Sequence, residues 1–384
     1  MPTAHVTGLA ALPNGRYDAP ERDLALRVVL DALDDAGRSP RDIDGLYLPK
    51  PRPWTPQGFF STLLANLLGA APRRTVETYT GGTSGGSAFQ TAVADVRAGR
   101  AETAVVLAVE RNSIIDTADY FRYILGIFDR EFQAPAGPSI PAVYAQSMQR
   151  YCHEYGVLRE AMADIVVKNR ANGATNPESV FDAGVSADEV LGSRPIADPL
   201  RLFDCPRPCD GAAALVVSSE RSGNADGEAV PVAGLGAHHA SSHLVGTRDG
   251  SLAHLPAVGG AVEDALGDAG CDVESVDVLE PYAPFPHVEA ILTEEAGLFD
   301  RGEGVAACAR GETALDGAHP VSPSGGCLGR GHPAMVTPLL NHVAAVRQVR
   351  GTAHNQVDGA ETVLTTSEHG HVDGATATVF GGGR

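Results

Sequence analysis

The chain has 384 residues, 48 acidic and 29 basic, which gives a formal charge of −19 at pH 7, and 43% of its residues are hydrophobic. This hydrophobic content supports a buried core and excludes a disordered acidic polymer. The negative charge excludes nucleic acid and an anionic membrane surface as the main partner, since phosphate groups are bound by lysine and arginine.

The length predicts two domains or one large α/β unit. Lys50 and Lys168 are the only lysines, so nearly all basic residues are arginine. Abundant carboxylates with almost no lysine are typical of a protein adapted to concentrated salt, and we interpret the composition as halophilic. A GC-rich codon bias is the alternative explanation.

The N-terminus predicts a soluble, cytoplasmic protein. It has no cationic start followed by an apolar run, and no apolar run approaches the ~20 residues that span a membrane. Six cysteines are too few for a disulfide scaffold in a chain of this length, so we expect reduced thiols. Cys205 and Cys209 lack further ligands at a diagnostic spacing, and no metal site is predicted.

An internal repeat predicts the organisation of the fold. The sequence DALDDAG at Asp31–Gly37 returns as DALGDAG at Asp264–Gly270, and each copy predicts a helix that is closed by glycine and followed by an apolar strand. The strand AETAVVL at Ala101–Leu107 is echoed in the same order by AETVLTT at Ala360–Thr366. Two echoes in one order predict two duplicated α/β halves, residues 1–222 and 223–384, with the boundary near Gly223–Gly227.

The first half is interrupted between residues 112 and about 200 by a less regular stretch rich in tyrosine and phenylalanine. An insertion of this kind between strands more often covers a substrate or forms a dimer contact than folds as a separate domain. Its composition predicts an apolar acyl site.

Two glycine-rich turns carry the chemistry. The first, residues 79–87, reads YTGGTSGGS and follows a predicted strand; the second, residues 323–333, reads PSGGCLGRGHP. A turn between a strand and a helix directs backbone amides toward an anionic or nucleophilic group.

The two turns together resemble those of the thiolase superfamily. Its first loop carries Cys-x-Ser-Gly and its last quarter carries Gly-Gly followed by Gly-His-Pro. The match extends over almost the whole chain, and residues 280–285, EPYAPF, stand where the sterol-carrier, archaeal and lipid-transfer-like branch has Glu-Leu-His/Tyr-Asp-x-Phe. The resemblance implies an α/β thiolase fold with two halves in a five-layer αβαβα arrangement. It also implies an acyl-CoA substrate with no further cofactor, a homodimer, and a small zinc-ribbon/OB-fold partner protein.

The first loop departs from the family pattern. Alignment of Ser84 with the family serine puts Gly82 at the position of the nucleophilic cysteine, and no neighbouring residue supplies a thiol. A thiolase transfers its acyl group through a cysteine, so this step has no obvious nucleophile. Thr83 and Ser84 carry hydroxyls that could replace the thiol only with a positioned base.

Other site residues follow from the resemblance. His332 of Gly-His-Pro would stabilise an enolate or oxyanion, with the turn glycines Gly325, Gly326 and Gly370 beside it. Tyr282 matches a tyrosine assigned to proton transfer in thiolase-like aldolases. His369, in the last loop of the chain, could act as a base or an oxyanion donor.

These residues favour three functions. The first is an aldolase-type lyase that breaks or forms a C–C bond in a β-hydroxyacyl-CoA without an acyl-enzyme. The second is an acetyl-CoA C-acyltransferase with an unusual nucleophile. The third is a non-catalytic subunit that binds a CoA thioester.

Overall fold

The computed structural model describes residues 3–219, 228–240, 251–369 and 374–382. Helices and strands alternate along these ranges. The strands are β1 (His5–Ala11), β2 (Gly45–Pro49), β3 (Arg74–Thr78), β4 (Thr103–Glu110), β5 (Pro195–Ala197), β6 (Leu200–Arg201), β7 (Gly211–Ser218), β8 (Val230–His239), β9 (Val278–Glu280), β10 (Thr362–Glu368) and β11 (Gly374–Gly381). The helices are α1 (Glu21–Asp35), α2 (Phe60–Leu68), α3 (Ser84–Arg97), α4 (Thr117–Ile124), α5 (Ile140–Tyr155), α6 (Met162–Thr175), α7 (Ala187–Gly192), α8 (Pro256–Ala269), α9 (Pro286–Glu295), α10 (Gly304–Ala309), α11 (Gly326–Gly329) and α12 (Thr337–Arg350).

The repeated sequences occupy equivalent places. DALDDAG ends α1 and DALGDAG ends α8, and the glycine after each helix, Gly37 or Gly270, has a positive φ of 63° or 69°. Glycine is favoured there because the left-handed conformation costs it nothing. The second echo forms β4 in one half and β10 in the other.

The strand order repeats as well. The large sheet runs β3-β2-β4-β7-β1-β8-β11-β10-β9. The first strands of the two halves, β1 and β8, are neighbours in the middle of this sheet, and the parallel pairs of each half lie toward its outer edge. Only two residue pairs, His5–Pro231 and Val6–Val230, join β1 to β8. The counterpart of β3 in the second half is reduced to a single parallel bridge between Leu279 and Val321.

The helices form the remaining layers. Helices α1 and α2 pack on one face of the first half-sheet, and α8 packs on the second. Helices α3 and α12 contact each other and strands of both halves, so their apolar residues form the central core. This layering confirms the predicted α/β fold.

The insertion lies between β4 and β7 and contains α4 to α7 and the two-stranded β5–β6 ribbon. It runs slightly beyond the predicted residue 200 and adds no strand to the large sheet. The boundary predicted near Gly223–Gly227 lies outside the described residues, so the division at residue 222 stays a prediction. No helix in the described ranges is long and apolar enough to cross a membrane.

Candidate active site

A cavity of about 400 Å³ brings together four of the residues predicted from sequence. Gly82 comes from the loop before α3, Tyr282 from the segment after β9, His332 from the loop before α12, and His369 from the end of β10. The volume falls within the range of about 300 to 1,000 Å³ that is usual for small-molecule pockets. Residues far apart in sequence therefore share one enclosed site.

The insertion forms the apolar wall of this cavity. Its contributing side chains come mainly from the α4 region and from α5: Tyr120, Phe121, Ile124, Ile127, Phe128, Ile140, Val143 and Tyr144. Tyr144 also stacks on Phe285, with ring centroids 4.3 Å apart. Such a surface favours an apolar acyl group.

Tyr282 and His332 form a buried pair. The Tyr282 Oη lies 3.3 Å from Nε2 of His332, and the rings meet edge to face. The Thr337 Oγ1 lies 3.3 Å from Nδ1 of the same imidazole, and the backbone N–H of His332 donates to the Arg207 carbonyl at 2.9 Å. The imidazole is therefore held at both nitrogens and at its backbone.

Two proton arrangements satisfy this network. In the first, Tyr282 donates to His332, whose Nδ1–H donates to Thr337, and the Thr337 hydroxyl donates to the Pro333 carbonyl at 3.1 Å. In the second, Nε2–H donates to Tyr282 and Thr337 donates to Nδ1. In both, one proton lies between the phenol and the imidazole, so the two groups can exchange it.

His369 closes the first glycine-rich loop. Its Nδ1 accepts from the Gly82 backbone N–H at 3.1 Å, which leaves the proton of the neutral ring on Nε2. Nε2 lies 2.9 Å from Oγ1 of Thr83, which donates its own proton to the Thr80 carbonyl at 2.9 Å. His369 therefore donates to the threonine and cannot remove its proton.

The Ser84 hydroxyl is engaged as well. It donates to the Gly81 carbonyl at 2.7 Å and accepts from the Thr80 N–H at 2.9 Å, and Ser84 is fully buried. Thr83 and Ser84 lie in the loop but not in the cavity wall. The loop thus presents no activated hydroxyl.

Gly82 cannot gain a side chain without a shift of the backbone. A Cβ atom built on this residue would lie 2.4 Å from the Glu368 carbonyl oxygen. The Glu368 carbonyl therefore occupies the space that a side chain at this position would need.

The glycines of the second turn pack against the insertion. Gly325 and Gly326 are absent from the cavity wall, and their N–H groups already donate to the Ser322 carbonyl at 2.9 Å and to Ser324 Oγ at 3.3 Å. A Cβ on Gly325 would meet Cα of Gly173 in α6 at 2.8 Å. The amides of both glycines are thus occupied within the turn and their backbone packs against a helix, so a role as oxyanion donors stays a prediction that this geometry does not support. Gly370 lies outside the described residues.

The cavity also contains polar residues that the sequence analysis did not single out. Glu368 is buried at the end of β10, beside Tyr144, and burial together with the negative charge of Glu368 raises the pKa of that phenol. Arg52 pairs with buried Glu110 at 2.6 Å, and the other oxygen of Glu110 accepts from the Met335 N–H at 2.9 Å. Glu368 directly precedes His369 and could have been found there, whereas no motif marks Arg52.

Burial alters the protonation of the site. It lowers the pKa of His332 to about 3, helped by the positive charges of Arg52 and Arg330, and lowers the pKa of His369 to about 4, helped by His239. It raises the pKa of Tyr282 well above the ordinary value of 10. At neutral pH, both imidazoles are uncharged and the phenol keeps its proton.

The buried histidines predict a loss of stability in mild acid. His342, which stacks on Phe89 outside the cavity, also has a pKa lowered by burial to about 3. An unfolded histidine takes up a proton near pH 6.5, so the stabilisation is complete above that pH and falls as the pH drops toward 3 to 4. Each buried histidine is expected to lower the free energy of unfolding by about 2 kcal/mol between pH 7 and pH 5.

Urea unfolding at pH 7 and pH 5 tests this expectation. The substitution His342→Asn retains an acceptor for Thr365, which lies 3.0 Å from Nδ1, and should reduce the loss by about 2 kcal/mol. His153→Asn, on an exposed part of α5, should leave it unchanged. An equal acid-induced loss in wild type and His342→Asn would contradict the assignment.

The described part of the chain has no group of three or more His, Cys, Asp or Glu side chains placed to hold a metal ion. The six cysteines are free thiols, and Cys205 contributes to the cavity wall.

Fold and site together define a thiolase-like protein. Residues 236–382 match the family model described as Thiolase C-terminal domain-like. The acetyl-CoA acetyltransferase of Methanothermobacter thermautotrophicus is 31% identical over 366 residues, which cover 94% of each chain. The 17-hydroxy-3-oxo-4-pregnene-20-carboxyl-CoA lyase of Mycobacterium tuberculosis is 30% identical over 374 residues, 91% of this chain and 92% of that one.

Solved structures give the same result. The structure of the Ltp2-ChsH2(DUF35) aldolase superposes with a TM-score of 0.86 at 27% identity, covering all of this chain and 98% of that one. The chain belongs to the thiolase superfamily, in the branch that includes sterol carrier protein 2. This confirms the resemblance drawn from the two glycine-rich turns.

Proposed function

We propose that this protein is an aldolase-type lyase that cleaves the Cα–Cβ bond of a β-hydroxyacyl-CoA, or forms it in reverse, without an acyl-enzyme. The observation that carries the proposal is the combination of a buried Tyr282–His332 pair with a first loop that offers no nucleophile. A retro-aldol cleavage needs proton transfer and enolate stabilisation, but no covalent intermediate.

The reaction uses the shared proton of this pair. Tyr282 accepts the proton of the β-hydroxyl as its own proton moves to His332 across the 3.3 Å contact. The hydroxyl oxygen becomes a carbonyl, the Cα–Cβ bond breaks, and its electron pair forms the thioester enolate. The resulting imidazolium stabilises the enolate, and return of the proton to Cα gives the shorter acyl-CoA and a ketone or aldehyde.

The depressed pKa of His332 suits this sequence. A buried imidazolium is unfavourable alone, so it forms together with the negative enolate that it neutralises. The electron pair of the broken C–C bond stays within the products and the protein only transfers protons, so the reaction requires no cofactor beyond the coenzyme A of the substrate. His369 has a structural role instead of a role in proton transfer: its two ring nitrogens hold the Gly82 loop in place.

The comparisons include relatives of both reaction types, and the geometry of the first loop favours the lyase. Two relatives that match about nine-tenths of this chain are named as a CoA lyase and a steroid side-chain-cleaving aldolase. The acetyltransferase relatives support the thiolase superfamily, but that reaction needs an activated nucleophile. The hydroxyls of Thr83 and Ser84 are engaged, which disfavours the alternative with an unusual nucleophile.

The substrate we propose carries a bulky apolar acyl group, because aromatic and branched side chains of the insertion line the cavity. The compound named for one relative, 17-hydroxy-3-oxo-4-pregnene-20-carboxyl-CoA, is a suitable first probe. The name of the superposed aldolase joins two components, Ltp2 and ChsH2, which supports a partner protein in trans, and we propose a small zinc-ribbon/OB-fold partner.

A homodimer is also part of the proposal. Strand β3 is at the edge of the large sheet, and Arg74 and Thr75 at its start are exposed. An unpaired edge strand can be covered by the same strand of a second copy. For the location of the protein we propose the cytoplasm, where the six free thiols would stay reduced.

The decisive experiment combines turnover with intact-protein mass spectrometry. Incubation with the steroid thioester or a branched β-hydroxyacyl-CoA should release a shorter acyl-CoA, and acetoacetyl-CoA should leave no acyl group on the protein.

Thr83→Val removes one neutral hydrogen bond to His369 and should lower turnover by no more than roughly fivefold.

Two results would overturn the proposal. A stable acyl adduct within residues 81–87 would favour an acyltransferase. Binding of CoA esters with no turnover of any of them, with the partner protein present, would favour a non-catalytic subunit.

A further inference from the structure

Arg170 is a buried arginine with no polar partner among the described residues. It lies in α6, is 7% exposed, and has an Nε atom that is enclosed without a hydrogen bond. Its guanidinium instead stacks on Phe181, with Cζ 3.4 Å from the ring centre. Enclosing a guanidinium without a hydrogen-bonded counter-charge is unfavourable and calls for an explanation.

Three other enclosed arginines have carboxylate partners, and Arg330, which is 1% exposed, donates to Ser324 Oγ at 3.0 Å and to Asn341 Oδ1 at 2.7 Å. Arg52 pairs with Glu110 at 2.6 Å, Arg159 with Asp204, and Arg350 with Asp35 at 2.8 Å. The chain has 48 acidic residues, so carboxylates are abundant. Arg170 differs from these four arginines in having no side-chain hydrogen bond or ion pair among the described residues.

A second unpaired arginine lies beside the first. Arg207 is exposed, has no side-chain hydrogen bond or ion pair within the described ranges, and has Cζ 5.6 Å from the centre of the same Phe181 ring. Burial and the positive charge of Arg207 lower the pKa of Arg170 to about 10. Two like charges share one aromatic ring, and together they create a positive potential in an acidic protein.

This arginine pair adjoins the cavity. Arg207 stands between Pro206 and Pro208, which both line the cavity, and its carbonyl accepts from the His332 N–H at 2.9 Å. On the other side, the N–H of Val180, next to Phe181, donates to the Arg330 carbonyl at 3.1 Å. An anion held by the arginines would therefore lie close to the catalytic cavity.

We propose that Arg170 and Arg207 form a subsite for a phosphate group of the coenzyme A part of the substrate. The inference rests on the proposed function, because it takes the substrate to be a CoA thioester. A guanidinium offers paired N–H donors that match phosphate oxygens, and the phosphate would supply the counter-charge that Arg170 lacks. Stacking on Phe181 holds the Arg170 guanidinium in position before the ligand arrives.

Calorimetric titration tests the subsite without requiring turnover. The probes are CoA and pantetheine, which lacks the phosphates, and inorganic phosphate as a competitor. We expect Arg207→Gln and Arg170→Gln each to weaken CoA binding about 10-fold, the loss of roughly one charge-assisted interaction, while pantetheine binds as it does to wild type. Arg310→Gln is the matched control, since Arg310 is exposed but pairs with Glu303 and Glu312.

Three results would overturn the inference. CoA could bind equally to wild type and both variants, or pantetheine binding could fall as much as CoA binding. Inorganic phosphate could bind at the arginines without competing with CoA, which would assign the subsite to a separate anion. If Arg170→Gln fails to fold, the exposed Arg207 still decides the outcome.

The test is separable from that of the reaction. Arginine-dependent CoA binding without lyase activity would support the phosphate subsite and contradict the proposed lyase reaction. Lyase activity with an unchanged KM for the acyl-CoA in Arg207→Gln would retain the reaction and remove the subsite.

Discussion

Tyr282→Phe should lower kcat for C–C cleavage about 10²- to 10⁴-fold, the contribution usual for a group that transfers a proton in the transition state. The phenylalanine ring keeps the contacts of the buried tyrosine and the edge-to-face contact with His332, so KM should change little. Only the oxygen that lies 3.3 Å from His332 Nε2 is lost. Steady-state assays of acyl-CoA release measure both constants.

The pair can be tested as a unit by a double-mutant cycle. His332→Ala should lower kcat by a similar factor, and the double variant should be little worse than either single one, because both residues handle the same proton. Tyr47→Phe is the control: Tyr47 is equally buried, and its Oη lies 2.6 Å from Asp95, away from the cavity. Unchanged turnover in both Tyr282→Phe and His332→Ala would remove the site assignment.

The pH dependence provides an independent check. With the pKa of His332 at about 3 and that of Tyr282 well above 10, neither group changes its charge near neutrality. The wild-type rate should therefore lack the inflection near pH 6.5 that an exposed histidine base would produce.

Gly82→Cys should fail to create a thiolase. The new Cβ would lie 2.4 Å from the Glu368 carbonyl, so the end of β10 must shift, and His369 would lose its hydrogen bond with the Gly82 N–H. Forced overpacking of this kind usually costs about 1 to 3 kcal/mol of stability. We expect no acyl-enzyme with acetoacetyl-CoA and at least roughly tenfold slower lyase turnover, since misplacement by about 1 Å can cost 10²-fold.

The control for this variant is Gly267→Cys, in α8. No atom lies within 4 Å of a Cβ at that position, so the substitution adds a thiol without a clash. Thermal unfolding, thiol titration and intact mass would separate a packing effect from cysteine chemistry. A stable Gly82→Cys protein that accumulates an acyl group would show that only the missing thiol separates this chain from an acyltransferase.

The sequence was sufficient to predict the fold because its information there is local and repeated. DALDDAG and DALGDAG each carry a helix and its glycine end, and the strands that follow obey the same order in both halves. The reduction of one edge strand to the Leu279–Val321 bridge was not foreseen. A short apolar segment can be recognised in the sequence, but the sequence does not show how many of its residues pair with the neighbouring strand.

The candidate site was predicted only in part. His332, Tyr282 and His369 follow from motifs, and the structure gathers them in one cavity. The contact of His369 with the Gly82 loop spans 287 positions, and the adjacent Glu368 carbonyl leaves no room for a side chain at Gly82. Gly325 and Gly326 lie outside the cavity wall, which the sequence could not show because a motif records a turn but not where its N–H groups point.

The catalytic side chains and the wall that contacts the acyl group come from different parts of the fold, and this affects how the substrate range can change by mutation. Tyr282, His332 and His369 come from segments anchored to the duplicated α/β halves, whereas the wall that meets the acyl group comes mostly from α4 and α5 of the insertion. Substitutions in that wall can remodel the acceptable acyl shape while the proton-transfer pair stays in place. New substrates are thus accessible by mutation of a peripheral segment, with the reaction itself inherited unchanged.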